Sequence, residues 1–330
     1  MTAKAPVGNA RPFRMIAGVS TLADLADGSS AYGYPGNYPG KIYFVNNVTG
    51  ASTNDGSDWD HAFAQIDQAL LASETRRVST ANLRPIRNRI FVQGTGTAYA
   101  AVDQDFNNAD LIGIGNIAHL GGAAGDVMVS GAGAADGFAQ SILTAGWDTT
   151  LGHGGGIGIN VFNVHFEATG AYWAADLVDW LDSKFEDCSF CCSGANSDGG
   201  IRATEHFAGS KILRCLVMGD AGAPAIGMSF SGGVFNNTEI ANCVVYARTT
   251  GYTNSCYLQD CSWIHDNMFY GGTTGLSDTS AETTLFGLAS YTDNKAFGAT
   301  AFTCTNQSKY RCLNNTGSNG SNVVYFYAYG

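Results

Sequence analysis

The sequence has little charge and little proline. Charged residues make up 14% of the 330 residues, and 17 Lys and Arg against 28 Asp and Glu give a formal net charge of −11. A disordered chain carries more charge and fewer aromatics, and a nucleic-acid-binding protein needs a basic stripe. We therefore expect neither disorder nor a nucleic-acid partner. The 43 glycines and the 12% of aromatic residues favour an all-β protein with many tight turns.

Long apolar runs are also missing. No stretch approaches the roughly 18 apolar residues that span a bilayer, so we expect no membrane association. Arg11 and Arg14 fall where the apolar core of a signal peptide would have to begin. The sequence thus predicts a protein without a signal peptide that is assembled in the cytoplasm of the producing cell.

Cysteine is absent before position 188. The chain has nine cysteines, of which Cys188 is the first, and this odd number excludes complete disulfide pairing within one chain. Cys191 and Cys192 are adjacent, and Cys256 and Cys261 lack a second pair or a suitably spaced pair of histidines. These spacings do not fit a zinc site. We therefore predict no metal and no cofactor, and we interpret Cys188, Cys215 and Cys243 as buried, reduced thiols.

Short alternating segments recur along the second half of the chain. Each has a Cys or Asn two residues before an apolar strand residue, at Cys188, Cys215, Cys243, Asn267 and Asn294, and these positions are 24 to 28 residues apart. A strand-rich unit of this length predicts a parallel β-helix, whose coils stack about 4.8 Å apart. Equivalent positions would then form a buried ladder of thiols that is continued by amides.

The N-terminal half carries motifs in a characteristic order. They are a strand with Tyr43 and Val45, the loop 54–56 (Asn-Asp-Gly), a helical pattern at 62–71, a strand ending at Gly94, and 111–115 (Leu-Ile-Gly-Ile-Gly). This order resembles the pectate-lyase-like β-helix superfamily. The resemblance implies a single-stranded right-handed parallel β-helix over residues 41–320, capped by a helix at 62–71, with a C-terminal strand or tail at 321–330.

Residues 1–40 precede this pattern and differ from it in composition. Glycines and prolines alternate with aromatic residues here, among them Phe13, Tyr32, Tyr34 and Tyr38. Such a segment has no core of its own, and a partner surface is needed to offset the entropy of ordering it. We therefore predict an extended N-terminal arm that serves in anchoring or assembly.

Two groups of residues are candidates for chemistry. Asp179 and Asp182 flank Trp180, with Trp173 nearby, and carboxylates beside aromatic rings suit a glycan substrate. The competing interpretation is that these aspartates cap turns. If the protein is an enzyme, Asp179 and Asp182 are the first catalytic candidates, and the two tryptophans form the glycan platform.

The second group lies in one later segment. Arg202, Glu205 and His206 are close together in sequence, and they suit either an acid–base group or an exposed ion pair. Glu205 is the third catalytic candidate. Neither group repeats the calcium-and-base pattern of a lyase.

The superfamily includes lyases, hydrolases, phage tailspikes and virion proteins, so the fold alone does not define an activity. Together these features favour a bacteriophage virion structural protein, such as a capsid decoration protein, a head fibre or a short spike. We expect a homotrimer that is attached to capsid or tail proteins of the phage particle through the arm, with host surface polysaccharide as a further partner. The alternatives are a polysaccharide lyase or glycoside hydrolase of the tailspike type, and a passive carbohydrate-binding adhesin.

Overall fold

Short strands with every second residue buried make up almost all of the structure, which is a computed structural model. It describes residues 40–78, 87–104, 106–116, 126–131, 138–140, 156–168, 171–192, 198–219, 224–257, 259–280, 289–304 and 311–317. The predicted arm with Phe13, Tyr32, Tyr34 and Tyr38, and the predicted tail at 321–330, lie outside these residues.

The described strands pair in parallel and wind into a solenoid of about six turns, which confirms the predicted all-β parallel β-helix. Each regular turn contributes one strand to each of three sheets, which we call sheets A, B and C. Side chains alternate between the interior and the outside because successive residues of a strand point to opposite faces. The interior is filled mainly by aliphatic and aromatic residues.

Sheet A has ten strands: β1 (Ile42–Val45), β2 (Asn88–Gln93), β4 (Ala109–Ile114), β8 (Asn160–Phe162), β11 (Lys184–Glu186), β14 (Lys211–Leu213), β17 (Glu239–Ala241), β20 (Trp263–His265), β23 (Ser290–Thr292) and β26 (Arg311–Leu313). Sheet B has nine: β3 (Tyr99–Ala100), β5 (Met128–Gly131), β9 (His165–Ala168), β12 (Ser189–Cys192), β15 (Leu216–Gly219), β18 (Val244–Ala247), β21 (Met268–Gly271), β24 (Lys295–Phe297) and β27 (Thr316–Gly317). Sheet C has eight: β6 (Phe138–Gln140), β7 (Gly156–Ile157), β10 (Trp173–Leu181), β13 (Gly199–Ala208), β16 (Ile226–Phe230), β19 (Thr250–Asn254), β22 (Thr274–Asp278) and β25 (Thr300–Cys304).

A two-residue turn joins sheet A to sheet B in successive coils. Its first residue has a left-handed backbone with φ between 51° and 56°, a conformation that Asn and Asp tolerate better than most residues. Its second residue occupies the ladder position. The left-handed residues are Asn163, Asp187, Arg214, Asn242, Asp266, Asp293 and Asn314.

The predicted ladder is confirmed. Cys188, Cys215 and Cys243 are buried free thiols at equivalent positions of successive coils. Beyond them the Asn267 Oδ1 accepts from the Cys243 backbone N at 2.8 Å, and the Asn294 Oδ1 accepts from the Asn267 N at 3.1 Å. Each amide therefore ties its own coil to the preceding one.

A second ladder, of hydroxyl groups, was not predicted. It lies in the turns from sheet C to sheet A and consists of the buried Ser183, Ser210, Thr238 and Ser262. The Ser210 Oγ accepts from the Ser183 N at 3.2 Å, and the Ser262 Oγ accepts from the Thr238 N at 3.2 Å. The signal in the sequence is a small hydroxyl residue directly after a turn residue, as in 182–183 and 237–238.

Helix α1 (Ile66–Val78) packs against β1 and β2 at the N-terminal end of the solenoid. The predicted boundaries 62–71 were wrong because the first apolar residues of the pattern belong to the preceding loop. The Phe63 N donates to the Phe44 carbonyl at 2.9 Å, and the Ala51 N donates to the Ala62 carbonyl at 3.1 Å. The helix begins after these extended contacts and continues beyond Leu71.

Candidate functional site

The two groups of candidate residues lie on neighbouring strands of sheet C. In the register of β10 and β13, Asp176 lies opposite Arg202, and Asp179 lies opposite His206. The register shifts between Leu177 and Asp179, where β13 has one more residue than β10. This bulge turns both Glu205 and His206 toward solvent, because an extra residue interrupts the alternation of side chains.

Asp179 and His206 form an ion pair when the imidazole is protonated. The His206 Nδ1 is hydrogen-bonded to the Asp179 Oδ1, and the His206 side chain is 46% exposed while that of Asp179 is 11% exposed. Burial raises the pKa of the Asp179 carboxyl, the hydrogen bond and charge of His206 oppose this, and the charge of Glu205 adds to the rise. The pair therefore has one shielded and one accessible member.

The Nε2 edge of the His206 ring faces the next coil, where Gly233 stands. A Cβ added at Gly233 would lie 3.4 Å from the His206 Nε2, so a side chain there would crowd this edge. The Gly233 N donates to the Glu205 carbonyl at 2.8 Å and fixes the bulge. An imidazole that is held through Nδ1 can exchange a proton through Nε2, and Glu205 is the adjacent carboxylate.

Asp176 and Arg202 form a two-point ion pair next to this group. The Arg202 Nε and Nη2 donate to the two Asp176 carboxylate oxygens at 2.8 and 2.5 Å. The guanidinium also lies 5.2 Å from the centre of the Trp173 ring. Because both charges are satisfied within the chain, this pair mainly joins two coils.

Asp182 does not join the group that contains Asp179 and Glu205. It lies in the turn between β10 and β11 and has a left-handed backbone with φ of 48°. Its Oδ1 lies against Gly209, where an added Cβ would approach to 2.2 Å. The structure therefore places Asp182 in a turn, which was the competing interpretation of the sequence.

The predicted glycan platform of Trp173 and Trp180 was wrong. Trp180 is fully buried and stacks on Phe185 with ring centres 4.8 Å apart, and Trp173 is 6% exposed beneath Arg202. Trp180 directly follows Asp179 on β10, so strand alternation places the two side chains on opposite faces and Trp180 in the interior. Closeness in the sequence therefore does not place these two side chains on one surface.

A second carboxylate pair, which the sequence analysis missed, lies near helix α1. Burial, followed by a hydrogen bond and charge repulsion from Asp103, raises the pKa of Asp67 to about 7. Asp67 stands in the first turn of the helix. Its distance of 36 residues from Asp103 in the sequence gave no indication of their contact.

Two other features are absent from the described residues. Among them, no group of three or more His, Cys, Asp or Glu side chains is arranged to hold a metal ion. No helix in this part of the chain is long and apolar enough to cross a membrane.

The outward face of sheet B is largely apolar from β15 to β24, where the exposed Lys295 opposite Met268 is its charged member. We call the apolar part of this surface the sheet B stripe. Tyr246, Tyr270 and Phe297 are register partners, with ring centres 4.5 and 4.4 Å apart and planes within 8° of parallel. Tyr246 is 41% exposed, and Met218 at the end of the row is 36% exposed. The stripe consists of Leu216, Met218, Val244, Tyr246, Met268, Tyr270 and Phe297.

No protein-family model matches the chain, and no curated protein matches it. The chain is similar to the crystal structure of a GH136 lacto-N-biosidase from Eubacterium ramulus, with 10% identity and a TM-score of 0.24. The alignment covers 84% of this chain and 67% of that one. At this TM-score the likeness carries no argument about fold or activity.

Proposed function

We propose that the protein is a structural β-helix of a bacteriophage particle: a capsid decoration protein, head fibre or short spike that forms a homotrimer. The observation that carries this proposal is the sheet B stripe. Monomeric proteins rarely keep a contiguous row of large apolar side chains in water, and such rows mark surfaces of association. The stripe lies along the flank of the solenoid, so that copies pack side by side.

The occupant of the stripe is a second copy of the chain and not a glycan. A sugar needs the free face of an aromatic ring, whereas stacking covers both faces of Tyr270 and one face each of Tyr246 and Phe297. What they present outward is a row of ring edges that repeats once per coil. A second copy has the same repeat of about 4.8 Å, so its ring edges have the same spacing as this row.

The interior suits a structural role. The amide and hydroxyl ladders bind each coil to the next, and Asp176 with Arg202 adds a link on the outside. A solenoid of this kind is a stiff rod, because each coil is fixed by its neighbours. In the proposal the arm, through Phe13, Tyr32, Tyr34 and Tyr38, docks on a capsid or tail protein and the rod projects from the particle.

The experiment combines solution mass with incorporation into particles. We expect the purified chain to have about three times its monomer mass of 34.6 kDa. A variant with Tyr32, Tyr34 and Tyr38 replaced by Asp should keep this mass but should disappear from purified virions in an immunoblot. Normal incorporation of that variant would contradict anchoring by the arm, and absence of the unaltered chain from virions would contradict the particle assignment.

A second function is favoured by a specific observation, the bulge that places Glu205 beside His206. In this alternative the protein is a polysaccharide lyase or glycoside hydrolase in which Glu205 and the His206–Asp179 pair exchange protons with the substrate. Glu205→Gln and Asp179→Asn should then abolish release of new reducing ends from host polysaccharide. Asp182→Asn in the neighbouring turn is the control and should retain activity. Equal activity of all variants would contradict this alternative.

A further inference from the structure

An open depression lies beside the first coil, away from the sheet B stripe and the charged group on sheet C. Its volume is about 360 Å³, and its lining residues are Asn46, Thr49, Trp59, Asp60 and Gln93. This volume is at the lower end of the range for small-molecule sites, which is roughly 300–1,000 Å³. An aromatic ring surrounded by amide, hydroxyl and carboxylate groups is the composition that a hydroxyl-rich ligand requires.

Trp59 is fixed in place although it is 38% exposed. Its ring meets the ring of Phe44 edge-on, with centres 4.8 Å apart, and Phe44 in turn stacks on Phe91 at 5.9 Å. The indole therefore has an anchored edge and a surface in contact with water. Tryptophan at such positions combines an apolar face with a polar N–H, which is typical of ligand contacts.

The loop that carries Trp59 is closed by backbone hydrogen bonds on both sides. The Phe44 N donates to the Gly56 carbonyl at 3.0 Å, and the Gly56 N donates to the His61 carbonyl at 2.9 Å. The exposure of Trp59 thus belongs to the folded structure. A ligand that binds here meets a preorganised surface, which lowers the entropy lost on binding.

The polar side chains of the rim retain donors and acceptors beyond their own hydrogen bonds. The Asn46 Oδ1 accepts from the backbone N atoms of Val48 and Thr49 at 2.9 and 3.0 Å, which leaves the amide NH₂ as a donor for a ligand. The Gln93 Nε2 donates to the Gly94 carbonyl at 3.3 Å, which leaves Oε1 as an acceptor. The exposed carboxylate of Asp60 is a strong acceptor for paired hydroxyl groups.

We propose that this depression binds one ring of a neutral polysaccharide. The C–H face of the sugar packs on the indole of Trp59, two of its hydroxyls donate to Asp60, and a third accepts from Asn46. The charge argues for a neutral ligand, because the loop carries Asp55, Asp58 and Asp60 against one basic side chain, His61, which pairs with Asp58. This excess of carboxylates repels a uronic acid or a sulfated sugar. The site makes the solenoid a glycan-binding rod, and it is independent of trimer formation.

Affinity electrophoresis of the full-length chain tests this inference. The probes are gels that contain β-glucan, mannan, galactan or xylan, with polygalacturonate as the acidic comparison. We expect at least one neutral gel to retard the protein and polygalacturonate to leave it unretarded. Trp59→Ala should weaken retardation at least tenfold. Trp263→Ala, which removes a 47% exposed tryptophan on sheet A, should leave it unchanged.

Three results would overturn the proposal: no retardation by any neutral gel, equal retardation of Trp59→Ala and the unaltered chain, or a stronger effect of polygalacturonate. Should Trp59→Ala fail to fold, Gln93→Ala removes one amide from the rim and should still weaken retardation about threefold. Unaltered retardation of a folded Gln93→Ala would then count against the site.

Discussion

The outward faces of sheets B and C belong to the same solenoid but differ in how their side chains are satisfied. On sheet C, Arg202 pairs with Asp176 and His206 pairs with Asp179, so the charges meet their partners within one chain. On sheet B, Tyr246 and Tyr270 stack on each other, yet Tyr246 is 41% exposed. One face is complete in the monomer, and the other leaves apolar surface that a second chain can cover.

This difference separates stability from assembly. Exposed ion pairs contribute roughly 0–1 kcal/mol each, so sheet C adds modestly to the stability of the coils. Burial of apolar surface contributes about 25 cal/mol per Å², so the sheet B stripe gains free energy as soon as a matching surface approaches. We therefore expect substitutions on sheet B to alter the oligomeric mass in solution. Substitutions on sheet C should instead alter the free energy of unfolding.

The largest effect is expected from Tyr246→Glu. The new carboxylate would have to be buried between chains without a partner, which is strongly unfavourable. We expect the trimer to dissociate into folded monomers, measured by light scattering coupled to size exclusion. Tyr257→Glu replaces a tyrosine that is 61% exposed outside the stripe, and this control should remain trimeric. If Tyr246→Glu remained trimeric, the sheet B stripe would not form the interface.

The buried ladder allows a comparison within the core, between its amides and its thiols. The Asn294 amide donates to the Ile264 carbonyl at 2.8 Å and accepts from the Asn267 N at 3.1 Å, whereas the Cys215 thiol donates to the Leu213 carbonyl at 3.3 Å. Asn294→Ala leaves buried backbone groups without partners, so it should lower the free energy of unfolding by about 2–4 kcal/mol. Cys215→Ala should cost about half as much in urea titrations. A larger loss of stability for Cys215→Ala than for Asn294→Ala would contradict the stabilising role of the amides.

The like-charged pair near helix α1 differs from both faces, because its members repel each other. With the pKa of Asp67 at about 7 in the fold and near 3.8 when unfolded, the folded state holds a proton more strongly. Its stabilising contribution is therefore complete below about pH 4 and is lost as the pH rises through 7. Asp67→Asn should be more stable than the unaltered chain at pH 8.5, by about 1–3 kcal/mol in urea titrations.

The informative quantity for Asp67→Asn is the slope of stability against pH. Between pH 5 and pH 8.5 the unaltered chain should lose stability while the variant changes less. Asp60→Asn, a substitution of an exposed aspartate outside the pair, is the control and should keep the original slope. Parallel slopes for Asp67→Asn and the unaltered chain would mean that this carboxyl does not titrate in the range.

A smaller effect than these is expected on sheet C. Arg202→Ala removes both hydrogen bonds to Asp176 and the contact with Trp173, and it should lower the free energy of unfolding by about 1 kcal/mol. The solution mass should not change, since these groups are satisfied within one chain. Lys211→Ala on sheet A removes a more exposed pair with Glu239 and should have a smaller effect. Dissociation of Arg202→Ala would contradict the assignment of the two faces.

The repeat of Cys and Asn predicted the coils because a buried turn position can be read directly from its residue types. Cys188, Cys215 and Asn267 lie where the spacing placed them. The direction of Trp180 was misjudged because Asp179 and Trp180 were grouped by closeness in the sequence, whereas neighbouring residues of a strand point to opposite faces. The start of helix α1 was misjudged because Phe63 is apolar but pairs with Val45 as extended chain.

The sequence predicted which residues belong to the candidate site but not how they are arranged. Asp179 and Glu205 were identified by residue type, while their approach through the pairing of β10 and β13 depends on the length of the intervening loop. The sheet B stripe was missed altogether. Its strands are three or four residues long, so Tyr246 and Tyr270 give no clear periodicity until the coils are stacked.

The most direct test of the account is the mass of the full-length chain by sedimentation equilibrium across a range of concentrations. The account predicts a species of about three times 34.6 kDa for the unaltered chain and for Tyr257→Glu, and a species of about 34.6 kDa for Tyr246→Glu. A monomeric unaltered chain at concentrations of tens of micromolar would contradict the claim that the sheet B stripe joins copies of this protein.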